Sequence, residues 1–358
     1  MVLRKKSITE DSLELAESYR KLYESMKESE TTDLQKQVIE KIGDQGYPVL
    51  DTENQINMVN ASKGEKFCES AQQGEKAGTT IICVTEEGGF VRYDLEAEDD
   101  WLDVVVSSLK WEDGEPEVSY YHEFEASEWM YTEKGYLFFE ESLPAGYDGA
   151  PGERAIRIKP LDQEWRESYE KYIEDVGYER NNLLSTDWKE TDLSGLELYD
   201  LYEKLSYIKY GVDFSYKAYE GAEYEIPEKE VEDILKSRFS LDVSTIRRKM
   251  VYHPETRTYR YRPRGLYDGS APYGPYPEVT AVKREENGNF RLTVEAVWEM
   301  EMTDCAMKSE LVIRLLEDGT FQYVSNQVTF RDTDLPYYWY KPRLTEEEWE
   351  GYYGEKEE

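Results

Sequence analysis

The chain is short of histidine, cysteine, positive charge and long apolar runs, and each shortage closes a class of function. Two histidines in 358 residues leave multi-histidine metal sites and histidine-based acid/base chemistry without their usual parts. Three irregularly spaced cysteines make neither a disulfide framework nor a paired-thiol zinc site. Free core thiols are the plainer expectation, and whether Cys68 pairs with Cys83 is left open. Lys and Arg number 43 against 78 Asp and Glu, a net charge of −35. Such a polyanion cannot displace counterions from nucleic acid, and it is repelled by an anionic membrane. No stretch approaches the roughly 18 apolar residues that a membrane span needs. Met1-Val-Leu-Arg-Lys-Lys starts basic, but no apolar run comes after it, so no signal peptide is read.

What is present argues for an ordered fold. The 31 tyrosines, 10 phenylalanines and 8 tryptophans are far more aromatic surface than acidic disordered chains carry. The length suits two domains, each large enough to bury a core without staples.

The periodicity switches from helical to alternating twice along the chain. Leu15, Tyr19, Leu22 and Met26 stand at helical spacing, and Leu34, Val38 and Ile42 mark a second helix, with Thr32 and Gln35 as a capping box. A third helix is read over Val59–Gln73. Alternating, β-branched segments come next at Thr79–Thr85, Phe90–Leu95, Trp101–Trp111, Val118–Tyr131 and Tyr136–Phe139, separated by acidic turns, most of them containing Gly. Leu143–Gly152 holds three Gly and two Pro and marks a linker, placed at 146–154. Helices resume at Asp162–Asp175, after a cap at Ser194 with Glu197, and from Pro227 as first helical residue. Strands return from Tyr252 to Val328, and a short capped helix starts at Thr345. The expected fold is therefore α+β. Its two domains, 1–145 and 155–358, each put helices before an antiparallel meander, which raises an ancient duplication.

No motif announces chemistry. Phosphate-cradling glycine loops, serine-hydrolase elbows and zinc-protease motifs are missing. No catalytic residue, metal site or cofactor is read. Carboxylates beside aromatics, such as Glu123, Glu125 and Glu128 near Trp129, are the kind of parts a glycosidase uses. Their alternation fits the solvated face of a strand better. His122 and His253 lack an oriented partner in the sequence.

One region reverses the charge. Arg247–Arg264 holds seven bases and a single acid, Glu255. Arg260, Arg262 and Arg264 alternate as if on one strand face. A Tyr/Pro/Gly loop, Gly265–Pro277, comes directly after. Arginine with tyrosine is common in anion and interface recognition, so Arg257, Arg260, Arg262, Arg264, Tyr267, Tyr273 and Tyr276 form the candidate ligand or partner site. The plainer alternative is internal: bases placed to relieve self-repulsion and to dock the domains.

Several stretches carry a resemblance. They are Val251-Tyr-His-Pro254, Tyr259-Arg-Tyr-Arg-Pro-Arg-Gly265, Pro275-Tyr-Pro-Glu-Val279 and Tyr323-Val-Ser-Asn326, with Tyr136-Leu-Phe-Phe-Glu-Glu141 and Gly221-Ala-Glu-Tyr-Glu-Ile-Pro227. Over most of residues 50–350 the chain resembles an uncharacterised family of secreted, lipoprotein-like proteins of anaerobic Gram-positive gut bacteria. The resemblance implies an export signal and a lipid-anchoring cysteine upstream, and neither stands in this sequence. It transfers no functional residue.

The expectation is a non-enzymatic, extracellular or envelope-located binding protein whose partner is a protein, peptide or glycan, contacted near the arginine strip and the groove between domains. A cytoplasmic location is the alternative. A carbohydrate hydrolase with a carboxylate pair and an envelope scaffold are the alternative functions.

Overall fold

Residues 77–157 alternate because most of them are strands of one sheet. The computed structural model describes residues 2–26, 32–269, 272–335 and 339–354, and the chain divides into two compact units, Met1–Asp162 and Gln163–Glu358. The first unit runs α1 (Val2–Met26), α2 (Thr32–Gly43), β1 (Val49–Asp51), α3 (Ala61–Gln72), β2 (Ala77–Val84), β3 (Phe90–Glu98), β4 (Trp101–Glu112), β5 (Glu115–Tyr131), β6 (Tyr136–Glu141) and β7 (Glu153–Arg157). Its strands lie in the sheet in chain order, and all neighbours are antiparallel except β1 with β2.

Both faces of this sheet are covered. Leu15, Tyr19, Val38 and Ile42 from α1 and α2 pack with Ile82, Val84 and Phe90. Phe67 and Cys68 from α3 pack with Ile81, Cys83, Leu137 and Phe139. Neighbouring strand residues point to opposite faces, so the unbroken apolar run Ile81–Val84 reads as a strand with helices on both sides. Cys68, Cys83 and Cys305, all among the described residues, are not joined in a disulfide. Burial drives the Cys68 thiol up to about 12.

The boundary between units lies beyond the expected linker. Residues 146–152 are a loop inside the first unit, because β7 closes its sheet against β6. Two asparagines pin β7 and the residues just after it. Asn54 Nδ2 donates to Ala155 O (2.9 Å) and its Oδ1 accepts from Arg157 N (2.8 Å). Asn57 does the same with Leu161 O (2.8 Å) and Leu161 N (2.9 Å). Each side-chain amide copies the pairing of a strand neighbour.

The second unit runs α4 (Gln163–Tyr172), β8 (Trp188–Lys189), α5 (Leu198–Tyr210), β9 (Tyr224–Pro227), α6 (Glu228–Lys236), α7 (Val243–Lys249), β10 (Tyr252–His253), β11 (Thr258–Tyr261), β12 (Tyr276–Arg284), β13 (Phe290–Trp298), β14 (Thr303–Leu315), β15 (Phe321–Arg331) and α8 (Glu346–Tyr353). A five-stranded sheet has the order β12-β13-β14-β15-β8, and a three-stranded one β10-β11-β9. All of these pairings are antiparallel. The α+β class holds for both units. Their topologies differ, however: the added edge strand joins the first meander strand in one unit and the last in the other, and the small sheet interrupts the helices.

Two expected caps move. Glu197, not Ser194, caps α5, its carboxylate accepting from Tyr199 N (3.1 Å). Pro227 ends β9 and precedes α6 as its N-cap. The Thr32 side chain and Pro336-Tyr337-Tyr338 of the aromatic tail lie outside the described residues.

Candidate functional site

Tyr259 and Tyr261 of β11 are buried against α5 and α6, so the residues between and after them must face outward. Their hydroxyls meet acids: Tyr259 donates to Glu232 (3.1 Å) and Tyr261 to Glu203 (3.0 Å). A tyrosine at a core edge ordinarily keeps its hydroxyl wet, and here carboxylates take the place of water. Arg260 points away from the core. Arg262 stands just past the strand, and Pro263 then turns the chain so that Arg264 enters the core.

Arg264 is 4% exposed. Its Nε and Nη2 donate to both oxygens of Asp200 (2.8 and 2.7 Å), and its Nη1 to the carbonyls of Asp268 (2.6 Å) and Lys341 (2.8 Å). Arg343 reaches the same acids. It donates to Asp200 Oδ1 (2.6 Å), Glu203 Oε2 (2.7 Å) and the Arg262 carbonyl (2.6 Å). The Tyr340 hydroxyl completes the shell on Asp200 Oδ2 (2.8 Å). Two buried acids thus meet two arginines, and breaking such a cluster costs about 3–5 kcal/mol because a charge is left uncompensated. Burial works against the Arg264 and Arg343 charges, but Asp200 outweighs it and holds both guanidiniums above their ordinary value. Burial, then Asp200, pushes the Tyr340 phenol far up.

Arg260 and Arg262 meet a different element. Glu346 of α8 bridges them: Arg260 Nη1 donates to its Oε1 (3.1 Å), with a second, shorter bond to Oε2, and Arg262 donates at 3.1 and 3.2 Å. Arg262 Nε also donates to Glu223 (2.6 Å), and Glu350 lies 3.6 Å from Nη2. The Arg262 guanidinium sits 3.6 Å from the centre of the Trp349 ring. The Arg260 hydrogen bond first, aided by Arg262, holds the Glu346 carboxyl below its ordinary range.

α8 is held only at its surface. A capping box of Thr345 and Glu348 starts it, and none of its residues is buried. Tyr352 stacks on Tyr267 (4.0 Å between centroids, planes within 10°). Tyr353 lies over Gly221 and Gly265; a Cβ added at Gly265 would come within 3.1 Å of its hydroxyl. Exposed ion pairs contribute about 0–1 kcal/mol each, and a cation–π contact about 0.5–2.

A cleft of about 240 Å³ opens beside this contact, wholly within the second unit. Arg260, Arg262 and Arg343 supply its positive charge, Tyr199, Tyr219, Trp349 and Tyr353 its aromatic walls, and Glu197, Asp268 and Glu346 its acids. Small-molecule pockets run from about 300 to 1,000 Å³, so this one holds a group the size of one or two side chains. Burial, and then Asp200, holds the Glu197 carboxyl above its ordinary range. Asp268 accepts from Gly265 N (2.7 Å).

The structure therefore brings together Arg260 and Arg262, with Tyr267 at the edge through Tyr352. Arg264 is framework. Arg257, in the left-handed region at φ 57°, pairs with Glu228 away from the cleft. Tyr273 and Tyr276 do not line it; Tyr273 accepts from Trp298 Nε1 through its carbonyl (2.9 Å). The remaining bases of the strip are engaged locally: Arg247 with Glu228 (2.7 Å), Arg248 with Thr245 (3.1 Å) and Lys249 with the Leu196 carbonyl (2.7 Å). Residues 270–271 of the Tyr/Pro/Gly loop lie outside the described residues. His122 and His253 each face one glutamate, Glu141 (2.9 Å) and Glu225 (3.2 Å), and neither lines the cleft. Asp200, Arg343, Glu346 and Trp349 carry the site and were not picked out from sequence. Only Thr345-Glu-Glu-Glu348 signalled α8, and nothing signalled its docking 86 residues from Arg260.

No helix among the described residues is long and apolar enough to cross a membrane. A family of unknown function (DUF6070) matches residues 5–343, and the chain belongs to it. No curated protein and no solved structure matches the chain.

Proposed function

We propose that this family member is a non-enzymatic binding protein that takes a carboxylate-bearing ligand at the Arg260/Arg262 cleft, and that it works outside the cytoplasm. One observation carries the reading: two adjacent arginines, only partly buried, hold a carboxylate and an indole from a helix that has no buried residue of its own. Bidentate geometry and a stacked aromatic are how arginine recognises planar anions. The acidic remainder of the surface repels anions generally, so the paired guanidiniums of Arg260 and Arg262 are a local exception to which a carboxylate can bind.

The extracytoplasmic placement rests on the resemblance to secreted, lipoprotein-like chains, and it is tested by fractionating native cells. A carbohydrate hydrolase would use Glu197 as its acid, since its carboxyl lies above the ordinary range. It would need a second carboxylate free to act, whereas Asp268 holds Gly265 N and Glu346 is clamped by two arginines. The binding reading is preferred for that reason.

The test is a panel of acidic peptides and anionic glycans offered to the full chain, then to the Arg260→Ala/Arg262→Ala variant. Captured ligands should lose at least 10-fold in affinity while the melting temperature holds. A captured ligand bound equally by the variant rules out this cleft as the site.

A further inference from the structure

The contacts of α8 say more than that the arginines are occupied. The chain is locked as far as Arg343, whose guanidinium is fixed by Asp200, Glu203 and the Arg262 carbonyl. The family match ends at that same residue. The described residues after it touch the protein through exposed or half-exposed groups: Glu346 and Glu350 on the arginines, Trp349 under Arg262, Tyr352 on Tyr267. Eight residues are too few to hold a helix in water without docking, so α8 is ordered by the cleft rim and its own capping box. Leu344 and Thr345 join the locked and the docked parts.

We propose, building on the binding reading above, that α8 is a tethered stand-in for the true ligand, and that this ligand is an acidic peptide segment with two carboxylates one helical turn apart and an aromatic ring between them. That is the pattern Glu346, Trp349, Glu350 presents. Amphipathic helices are recognised in grooves by such spaced anchors. The tether keeps α8 at high effective concentration, so it competes with any partner and lowers the apparent affinity by the fraction of time it stays docked. Lifting α8 carries Trp349 and Tyr353 away and frees Arg260, Arg262 and the rings of Tyr199, Tyr219 and Tyr267 for a partner, without disturbing the Asp200 cluster.

The test uses a fluorescein-labelled peptide copying residues 344–354 and reads anisotropy with the full chain. Wild-type protein should bind it weakly. Glu346→Ala/Trp349→Ala, which weakens the tethered copy, should bind it at least 10-fold tighter. Adding Arg260→Ala and Arg262→Ala should remove the gain. Equal binding by wild type and the α8 variant, no binding by that variant, or binding that survives loss of the arginines each overturns the proposal. Because α8 buries no side chain, Glu346→Ala/Trp349→Ala should melt within a few degrees of wild type; a larger drop also overturns it. If the panel yields an arginine-dependent ligand while this peptide fails, the binding reading stands and only the peptide assignment falls.

Discussion

Arg264 and Arg262 are two residues apart and do opposite work. Arg264 is buried, with each guanidinium nitrogen donating to Asp200 or a carbonyl. Arg262 lies at the rim, its charge shared among Glu223, Glu346, Glu350 and an indole face. The same side chain is framework in one place and recognition surface in the other. What separates them is Pro263 and the buried acids of α5. A buried ion cluster is costly to break, whereas a rim contact in high dielectric is cheap to exchange. The two depths therefore predict different responses to substitution.

The largest effect belongs to the inner cluster. Asp200→Ala leaves Arg264 and Arg343 without their shared carboxylate and Tyr340 without its acceptor. Unfolding in urea should show a loss of about 3–5 kcal/mol. Arg264→Ala should fall in the same range. A loss below about 1 kcal/mol for either would erase the distinction between the two depths.

Trp349→Ala comes next. It removes the ring under Arg262 and should cost about 0.5–2 kcal/mol at most, with faster amide exchange confined to residues 345–354. Arg260→Ala should change global stability by no more than about 1 kcal/mol, again with the effect concentrated in α8. A global loss from either change would make α8 part of the framework.

The smallest effect is acid release. Glu346 has its pKa lowered by Arg260 and Arg262, so its contribution to docking is fully present above the ordinary value of 4.5. That contribution fades as pH falls through the lowered value. The protection of α8 amides, measured relative to their intrinsic exchange rate at each pH, should therefore fall as pH drops below 4.5. The inner arginines have raised pKa values and keep their charge throughout that range. Protection factors in α8 that rise at low pH would reverse the expected sign.

Much of the fold was legible because it is written locally. The β-branched and aromatic runs around Ile81 and Leu137 and the helical face Leu198, Leu201, Tyr202, Leu205 gave class and order of elements. β7 was missed because the Gly/Pro-rich stretch between it and its partner β6 reads as a linker, and Asn54, which pins it, lies about a hundred residues earlier and looks like an ordinary turn residue. β1 is three residues long, too short to show a period. At the site, the reversal of charge led to Arg260 and Arg262. The alternation of Arg260, Arg262 and Arg264 suggested one face, but Pro263 ends the strand geometry before Arg264. The acids that decide each arginine's role come from α5 and α8, and one chain's spacing does not report such long-range meetings.

Hydrogen exchange of the full chain, read at α8 and at β11 in the same experiment, tests the central claim most directly. Amides of residues 347–353 should exchange at least 10-fold faster than those of residues 259–261, and faster still in Arg260→Ala/Arg262→Ala with β11 unchanged. Equal protection of the two segments, or a matching rise in β11, would show that inner and outer arginines belong to one cooperative unit and would contradict the division into framework and rim.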